Sequence, residues 1–266
     1  MDKPSESSTC ISCGSTFLEN YCQHCGQKLI NDRITVKRSL QQFWATMFNV
    51  DKGLWFTIKG LFVNPRAVFN QYISGGTNRY VHPFRFAIIL ITVQTFLLVS
   101  SGLYRNIQVN FSVMMEQEVN PLQGILMAFV NSHMHLLIAA SIPALAFGSR
   151  LFFGSKKYNF AEHLVIQSFA YGQVVFIGIL TFPIQYYLQG ESMLFQFVSA
   201  GFTIVYLTYA YFSVFKQNVL LVLLKTIFSF VFWVIGLVLI TGVSSFIYMY
   251  FLYQTNPALF ESLKQS

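Results

Sequence analysis

The sequence predicts an all-α integral membrane protein with about five transmembrane helices, a small N-terminal zinc ribbon and interfacial amphipathic helices. Three observations support this fold class. Only 10% of the 266 residues are charged, whereas a soluble domain carries about 25%. Uncharged apolar runs longer than about 18 residues recur through the last two thirds of the chain, as in membrane-spanning helices. Two Cys-x-x-Cys pairs stand near its beginning.

The two cysteine pairs have the spacing of a zinc ribbon. A glycine follows each pair, at Gly14 and Gly26, where a tight turn toward sulfur favours a residue without a Cβ atom. Four thiolates favour a closed structural site for one zinc ion per chain, and a redox dithiol switch is the alternative. His24 should point away from the metal. The predicted ligands, in a ribbon over residues 1–30, are Cys10, Cys13, Cys22 and Cys25.

Redox chemistry and charge both predict the orientation of the chain. Residues 1–9 are polar and do not have the pattern of a cleavable signal peptide. Thiolates that hold zinc need a reducing compartment, so the N-terminus should be cytosolic. With five spans, fifteen of the seventeen Lys and Arg residues lie on the N-terminal side of the membrane, and only Arg105 and Lys264 lie on the other. The positive-inside rule therefore also places the N-terminus in the cytoplasm and the C-terminus outside.

Residues 31–83 carry three apolar stripes at helical spacing, each too short to cross a bilayer. Basic residues flank these stripes, which is typical of helices lying among the headgroups of the inner leaflet. Alternatively, the helices pack on the cytoplasmic ends of the spans, and both placements can hold together. The stripes are Leu40, Phe43, Trp44, Met47 and Phe48; Leu54, Trp55, Ile58, Leu61 and Phe62; and Val68, Phe69, Tyr72 and Ile73.

The transmembrane region is predicted over residues 84–255, with a short tail over 256–266. Residues 121–130, before the second span, are interpreted as an interfacial or re-entrant helix. A further crossing there would move five downstream cations outside and is therefore rejected. The fifth span should begin after a connection bracketed by Lys216 and Lys225. The spans are predicted at 86–103, 133–153, 162–188, 193–215 and 226–253.

Polar residues near the cytoplasmic boundary form the candidate lipid or anion site. The two arginines before the first span suit lipid-phosphate anchors, or an anion site shared with a neighbouring histidine. Asn159 and Glu162 match a capping box at the start of the third span. Alternatively, Glu162 and His163 form a proton relay or a cation site. The candidate residues are Arg79, His82, Arg85, Glu162 and His163.

Little in the sequence indicates an enzyme, and no catalytic residue is predicted. His133 and His135 are two residues apart, so on a helix they point to nearly opposite faces and make a poor metal clamp. We expect an interfacial histidine satisfied by a backbone carbonyl. Proton- and ion-coupled transporters usually carry an Asp, Glu, Lys or Arg at mid-depth in a span. The predicted spans contain none there. Walker, HExxH and GxSxG motifs are also missing.

Several motifs together resemble a bacterial membrane-protein family, a domain of unknown function with an N-terminal zinc ribbon. The resemblance covers most of residues 10–170. It implies the same architecture and draws attention to the candidate polar residues, but it implies no catalytic residue. The motifs are CxxCG and YCxxCGQ within 10–27, FNVDKG at 48–53, NPR at 64–66, RY at 79–80, HPFRF at 82–86 and YNFAEHL at 158–164.

The sequence therefore favours a multi-pass protein of the bacterial inner membrane whose ribbon docks a cytosolic partner, as a scaffold or regulator. The alternative is a small transporter or lipid-handling protein with a polar cavity on the cytoplasmic side, and a membrane enzyme acting on lipid is third. Membrane lipids and a protein are the expected partners, with a homo-oligomer left open. Nucleic acid is not expected, because the ribbon has no basic cluster.

Overall fold

A computed structural model gives the fold. The structure describes residues 8–17, 21–27, 34–37, 39–41, 53–77, 79–103, 121–154, 158–188 and 193–256. Two short strands, β1 (Ser8–Thr9) and β2 (Thr16–Phe17), pair antiparallel in the ribbon. The helices are α1 (Gly53–Val63), α2 (Pro65–Ile73), α3 (Pro83–Ser100), α4 (Pro121–Phe153), α5 (Phe160–Tyr187), α6 (Met193–Phe215) and α7 (Val219–Thr255).

The five helices α3 to α7 are long and apolar enough to cross a membrane, which confirms the predicted fold class. Many of their large apolar side chains are exposed, above all on α7, where Phe246 and Phe251 lie open. A surface of this kind suits contact with lipid, because hydrocarbon chains are as apolar as the side chains that they cover. The chain is therefore a multi-pass membrane protein.

The second span differs from its prediction. Residues 121–130 do not form a separate interfacial or re-entrant helix, because α4 runs without a break through 33 residues, about 50 Å at 1.5 Å per residue. His133 and His135 lie inside this helix. The Nδ1 atom of His133 is 3.0 Å from the carbonyl oxygen of Phe129 and 2.9 Å from the Ser132 hydroxyl. A backbone carbonyl is thus within reach, as expected, while the interfacial position of this histidine stays a prediction. The polar side chains misled the prediction because they interrupt hydropathy without interrupting helix geometry.

The last helix also begins earlier than predicted. Asn218 caps α7, since its Oδ1 atom accepts a hydrogen bond from the Leu220 amide at 2.9 Å. The connection from α6 is therefore only residues 216–218, and Lys225 lies in the second turn of α7 rather than beyond a loop. A single lysine can lie within such a helix because its long stem reaches back toward the polar boundary.

The start of α5 agrees with its prediction. Asn159 accepts a hydrogen bond from the Glu162 amide at 2.9 Å. The Glu162 carboxylate accepts one from the Asn159 amide at 2.7 Å. These reciprocal bonds satisfy two backbone donors that the first helical turn would otherwise leave open, and they confirm the capping box.

Helices α1 and α2 pack against α5 and α6. The Tyr206 hydroxyl of α6 donates to the carbonyl oxygen of Leu61 at 3.2 Å, and the Phe69 ring of α2 lies 6.3 Å from that of Phe169. The alternative in which these helices pack on the spans is thus confirmed. Trp55 and Val63 remain about 70% exposed, and placement of this outer face among headgroups stays a prediction. The first of the three stripes lies mostly outside the described residues.

The contacts place the ends of several helices together. Ser149, near the end of α4, lies 2.9 Å from the ring of His163 at the start of α5. Helices α4 and α7 are antiparallel, since Phe152 stacks on Phe228 near one end and Phe129 on Tyr248 near the other. The beginnings of α5 and α7 therefore lie with the ends of α4 and α6. Helices α1 and α2 cover this same end of the bundle.

Candidate functional site

The four cysteines converge on one point in the ribbon. The Sγ atoms of Cys10 and Cys25 are 3.5 Å apart, and those of Cys13 and Cys22 are 3.6 Å apart. All four sulfurs lie within 4.8 Å of one another. A tetrahedral zinc site with bonds of about 2.3 Å separates its sulfurs by about 3.8 Å, so the cluster fits a four-thiolate metal centre. The cysteines are not joined as disulfides.

The backbone of each pair forms the same turn. The amide of Gly14 donates to the Cys10 carbonyl, and that of Gly26 donates to the Cys22 carbonyl, each at 2.8 Å. Both glycines have positive φ, 78° and 69°, a region that other residues enter only with strain. The glycines noted in the sequence therefore close the two turns that carry the cysteines.

The thiols differ in acidity. Hydrogen bonds from the side chain and then the backbone of Ser15 lower the pKa of Cys13 to about 6, whereas desolvation raises the pKa of Cys25 to about 12. A cysteine must be deprotonated to bind a metal. Cys13 is exposed, and its lowered pKa favours the thiolate at neutral pH. His24 is exposed and lies outside the cluster, in agreement with its prediction.

Two glutamines attach the ribbon to the bundle. The side-chain nitrogen of Gln27 donates to the Gly75 carbonyl at 2.6 Å. The side-chain nitrogen of Gln71, on α2, donates to the Ile11 carbonyl at 3.2 Å. Gln27 is buried although it is polar. We call these two bonds the clamp. Sequence reasoning missed it, and the one available signal was Gln27, two residues after Cys25.

The residues of the predicted lipid or anion site differ in exposure. Arg79 is exposed and lies over the Phe56 ring, at 4.5 Å from its centre. His82 and Arg85 are buried at the start of α3. Burial, with a smaller contribution from the charge of Arg85, lowers the pKa of His82 to about 4. This imidazole is therefore neutral at physiological pH.

Glu162 and His163 lie at the start of α5 and have different partners. Glu162 is engaged in the capping box, whereas the Nδ1 atom of His163 pairs with the Ser149 hydroxyl on α4. The Nε2 atoms of His163 and of Gln167, one turn later, are buried and have no hydrogen-bond partner among the described residues. The Tyr211 hydroxyl donates to Gln167. These residues form a small polar cluster inside the bundle.

Three cavities lie at this end of the bundle. Two adjoin each other near the connection between α6 and α7. The third, about 330 Å³ with almost wholly apolar walls, lies between α3, α4 and α5. Within the described part of the chain, none of the five predicted site residues lines any of these three cavities, and the lipid or anion site stays a prediction.

These features define an α-helical membrane protein that carries a four-cysteine metal site attached to one end of a five-helix bundle. Residues 51–95 match the sequence profile of a family described as Protein of unknown function (DUF3667). The match covers α1, α2 and most of α3, together with the first candidate residues, Arg79, His82 and Arg85. No curated protein and no solved structure shows significant similarity to the chain.

Proposed function

We propose that the chain is a membrane-anchored scaffold or regulator whose zinc ribbon binds a cytosolic protein partner. The observation that supports this proposal is the clamp. Because these bonds tie the ribbon to Gln71 of α2 and to Gly75 just after it, the ribbon is held in a fixed position at the end of the bundle. A partner bound to it would therefore be held at a defined place on the membrane surface.

Zinc is the metal that suits this centre best. Four thiolates leave no coordination position for water, which is the arrangement of a structural zinc site rather than a catalytic one. A metal held by all four cysteines would stabilise a module whose described residues include two strands of two residues each. The role of the metal in this proposal is to fold the binding module.

The ribbon presents polar and aromatic side chains outside the clamp. Tyr21 and His24 are exposed on its second cysteine turn. Aromatic residues that combine an apolar ring with a polar group are enriched at protein–protein interfaces. We place this surface in the cytoplasm of a bacterial cell, at the inner membrane, because the basic residues lie on the ribbon's side of the spans.

The test is site-specific photo-crosslinking in living cells, with a benzophenone amino acid at Tyr21 or His24 of the full chain. We expect one heterologous protein adduct from either position, and its loss when Cys22→Ser disrupts the metal site. Trp55, exposed on α1, is the matched control position. The identified partner should then bind the nanodisc-embedded chain with equal stoichiometry. Adducts restricted to this chain or to lipid would reject a docking role.

The polar cluster supports a second candidate function, a small transporter or lipid-handling protein. Buried polar atoms without partners are costly in a membrane bundle, and those of His163 and Gln167 could be satisfied by water or by a polar ligand. The double variant His163→Phe, Gln167→Leu distinguishes the two functions. It should leave Tyr21 crosslinking unchanged under the scaffold proposal, and abolish uptake or lipid transfer under the second.

A further inference from the structure

Two adjoining cavities lie where the connection from α6 to α7 meets the start of α2. Their volumes are about 670 and 260 Å³. Arg66, Lys216 and Gln217 contribute to the walls of both, and Asn64 and Asn218 complete the larger one. We call this joint cavity the basic pocket. None of the four cysteines and none of the five polar residues singled out in the sequence lines it, although the His163 ring lies beside two lining residues, 6.3 Å from that of Tyr158 and 5.7 Å from that of Phe215.

The basic pocket contains positive charge that the described residues do not neutralise. Arg66 is half-buried and Lys216 is exposed, and neither forms an ion pair with a carboxylate in the described ranges. Glu162 is the sole acidic residue within those ranges, and its carboxylate is engaged in the capping box of α5. An anion from outside the chain would therefore find two cations available to it.

The uncharged residues of the wall offer hydrogen-bond donors. The Oδ1 atom of Asn64 accepts from the Ala67 amide at 3.1 Å, and that of Asn218 accepts from the Leu220 amide. The Oε1 atom of Gln217 accepts from the ammonium group of Lys225 at 2.8 Å. These bonds engage the side-chain oxygens of Asn64, Gln217 and Asn218. The NH2 groups of the same three side chains are the donors that the wall offers to a ligand. Donors and cations together suit the oxygens of a phosphate group.

Apolar side chains stand beside the pocket on the surface of the bundle. Val63 directly precedes Asn64, Leu220 comes two residues after Asn218, and both are about 70% exposed, while Phe212 in the wall itself is about 40% exposed. A phosphate bound in the basic pocket would thus lie next to a surface suited to acyl chains. This arrangement of cations and apolar residues is typical of an anionic lipid site at the membrane boundary.

We propose that the basic pocket binds the phosphate group of an anionic membrane lipid. Arg66 and Lys216 supply the charge, the amide groups of Asn64, Gln217 and Asn218 supply further hydrogen bonds, and the acyl chains lie against Val63 and Leu220. This site does not depend on the ribbon or its partner. A bound lipid would join α2 to the α6–α7 connection.

Native mass spectrometry of the full chain, titrated with phosphatidylglycerol or with phosphatidylcholine of the same acyl chains, tests this site. The variants are Arg66→Gln and Lys216→Gly. Lys216 has a positive φ of 51°, so glycine removes the charge while suiting the backbone. Lys59→Gln, at an exposed cation of α1 outside the pocket, is the matched control.

We expect phosphatidylglycerol to bind more tightly than phosphatidylcholine. Each pocket variant should weaken phosphatidylglycerol binding roughly fivefold, and the two together roughly 25-fold. Lys59→Gln should change it little. Equal binding by the variants and the unaltered chain would overturn the proposal. If instead inorganic phosphate alone binds and the lipid does not compete with it, the ligand is free phosphate and the lipid assignment is wrong.

Discussion

His82 shows how burial changes the chemistry of a single residue. Its ring lies between those of Tyr72 and Phe84, at 6.3 and 5.4 Å from their centres. This surrounding excludes water and disfavours the charged imidazolium, which is why the pKa falls to about 4 from the ordinary 6.5. His82 is therefore a buried residue whose imidazole is neutral at physiological pH.

The lowered pKa of His82 makes stability depend on pH. As pH falls below 6.5, the His82 imidazole binds a proton in the unfolded chain, whereas in the folded chain it binds one only near pH 4. The folded state thus loses about 2 kcal/mol between pH 7.5 and pH 5 through this one residue. His82→Gln should remove that loss.

Thermal unfolding in detergent, followed at pH 7.5 and pH 5, measures this difference. Acidification should lower the unfolding midpoint temperature of the unaltered chain more than that of the His82→Gln variant. Both proteins share any effect of acid on the cysteine centre, so the comparison isolates the histidine. Parallel shifts in the two proteins would mean that His82 is already protonated, or accessible to water, in the folded state.

The capping box of α5 should contribute measurably to the stability of the folded chain. Asn159→Ala removes the side-chain acceptor for the Glu162 amide and the donor to the Ile34 carbonyl at 3.0 Å. The variant should destabilise the folded state by about 1 kcal/mol, the usual contribution of an N-cap. Asn159→Ser, which retains a capping oxygen, should lose much less. A chemical denaturation series at constant detergent concentration compares the three proteins.

Equal stability of Asn159→Ala and Asn159→Ser would assign the effect of this position to the Ile34 contact instead of the cap. Both variants lose the donor to the Ile34 carbonyl, and only alanine also loses the capping oxygen. The capping box could be predicted because its signal is local: two residues, three positions apart, specify both bonds.

Elements that depend on distant residues were harder to predict. Asn131, Ser132 and the two nearby histidines made the start of α4 look like a break, yet the helix continues because serine and histidine can bond to their own backbone. Lys225 similarly concealed the start of α7. Hydropathy alone does not show where the backbone bonds of a polar segment go.

At the scale of the whole molecule, sequence predicted the five spans and the cysteine cluster. It did not predict which polar residues would meet. The clamp joins Gln27 to Gly75 across 48 residues, and the basic pocket joins Arg66 to Lys216. Neither pairing has a periodicity or spacing that reveals it. Nor did sequence predict that the candidate residues near the first span would differ in exposure, with Arg79 exposed and His82 and Arg85 buried.

The predicted orientation of the molecule can be tested with two fusions. With an odd number of spans and a cytoplasmic ribbon, green fluorescent protein at the N-terminus should fluoresce in bacterial cells. Alkaline phosphatase at the C-terminus should be active, because it folds only outside the cytoplasm. The reverse pattern would mean that the ribbon lies outside. Phosphatase activity with a fluorescent fusion at the same terminus would instead indicate mixed orientation.

The ribbon and the clamp depend on the cysteine centre, so the proposed docking module requires that the four cysteines hold a metal. The most direct measurement is zinc K-edge X-ray absorption on the full chain in lipid nanodiscs, with the metal content determined on the same sample. We expect one zinc per chain and a shell of four sulfurs at about 2.3 Å. A shell containing nitrogen or oxygen, or a chain that purifies folded without zinc, would contradict a structural four-thiolate site.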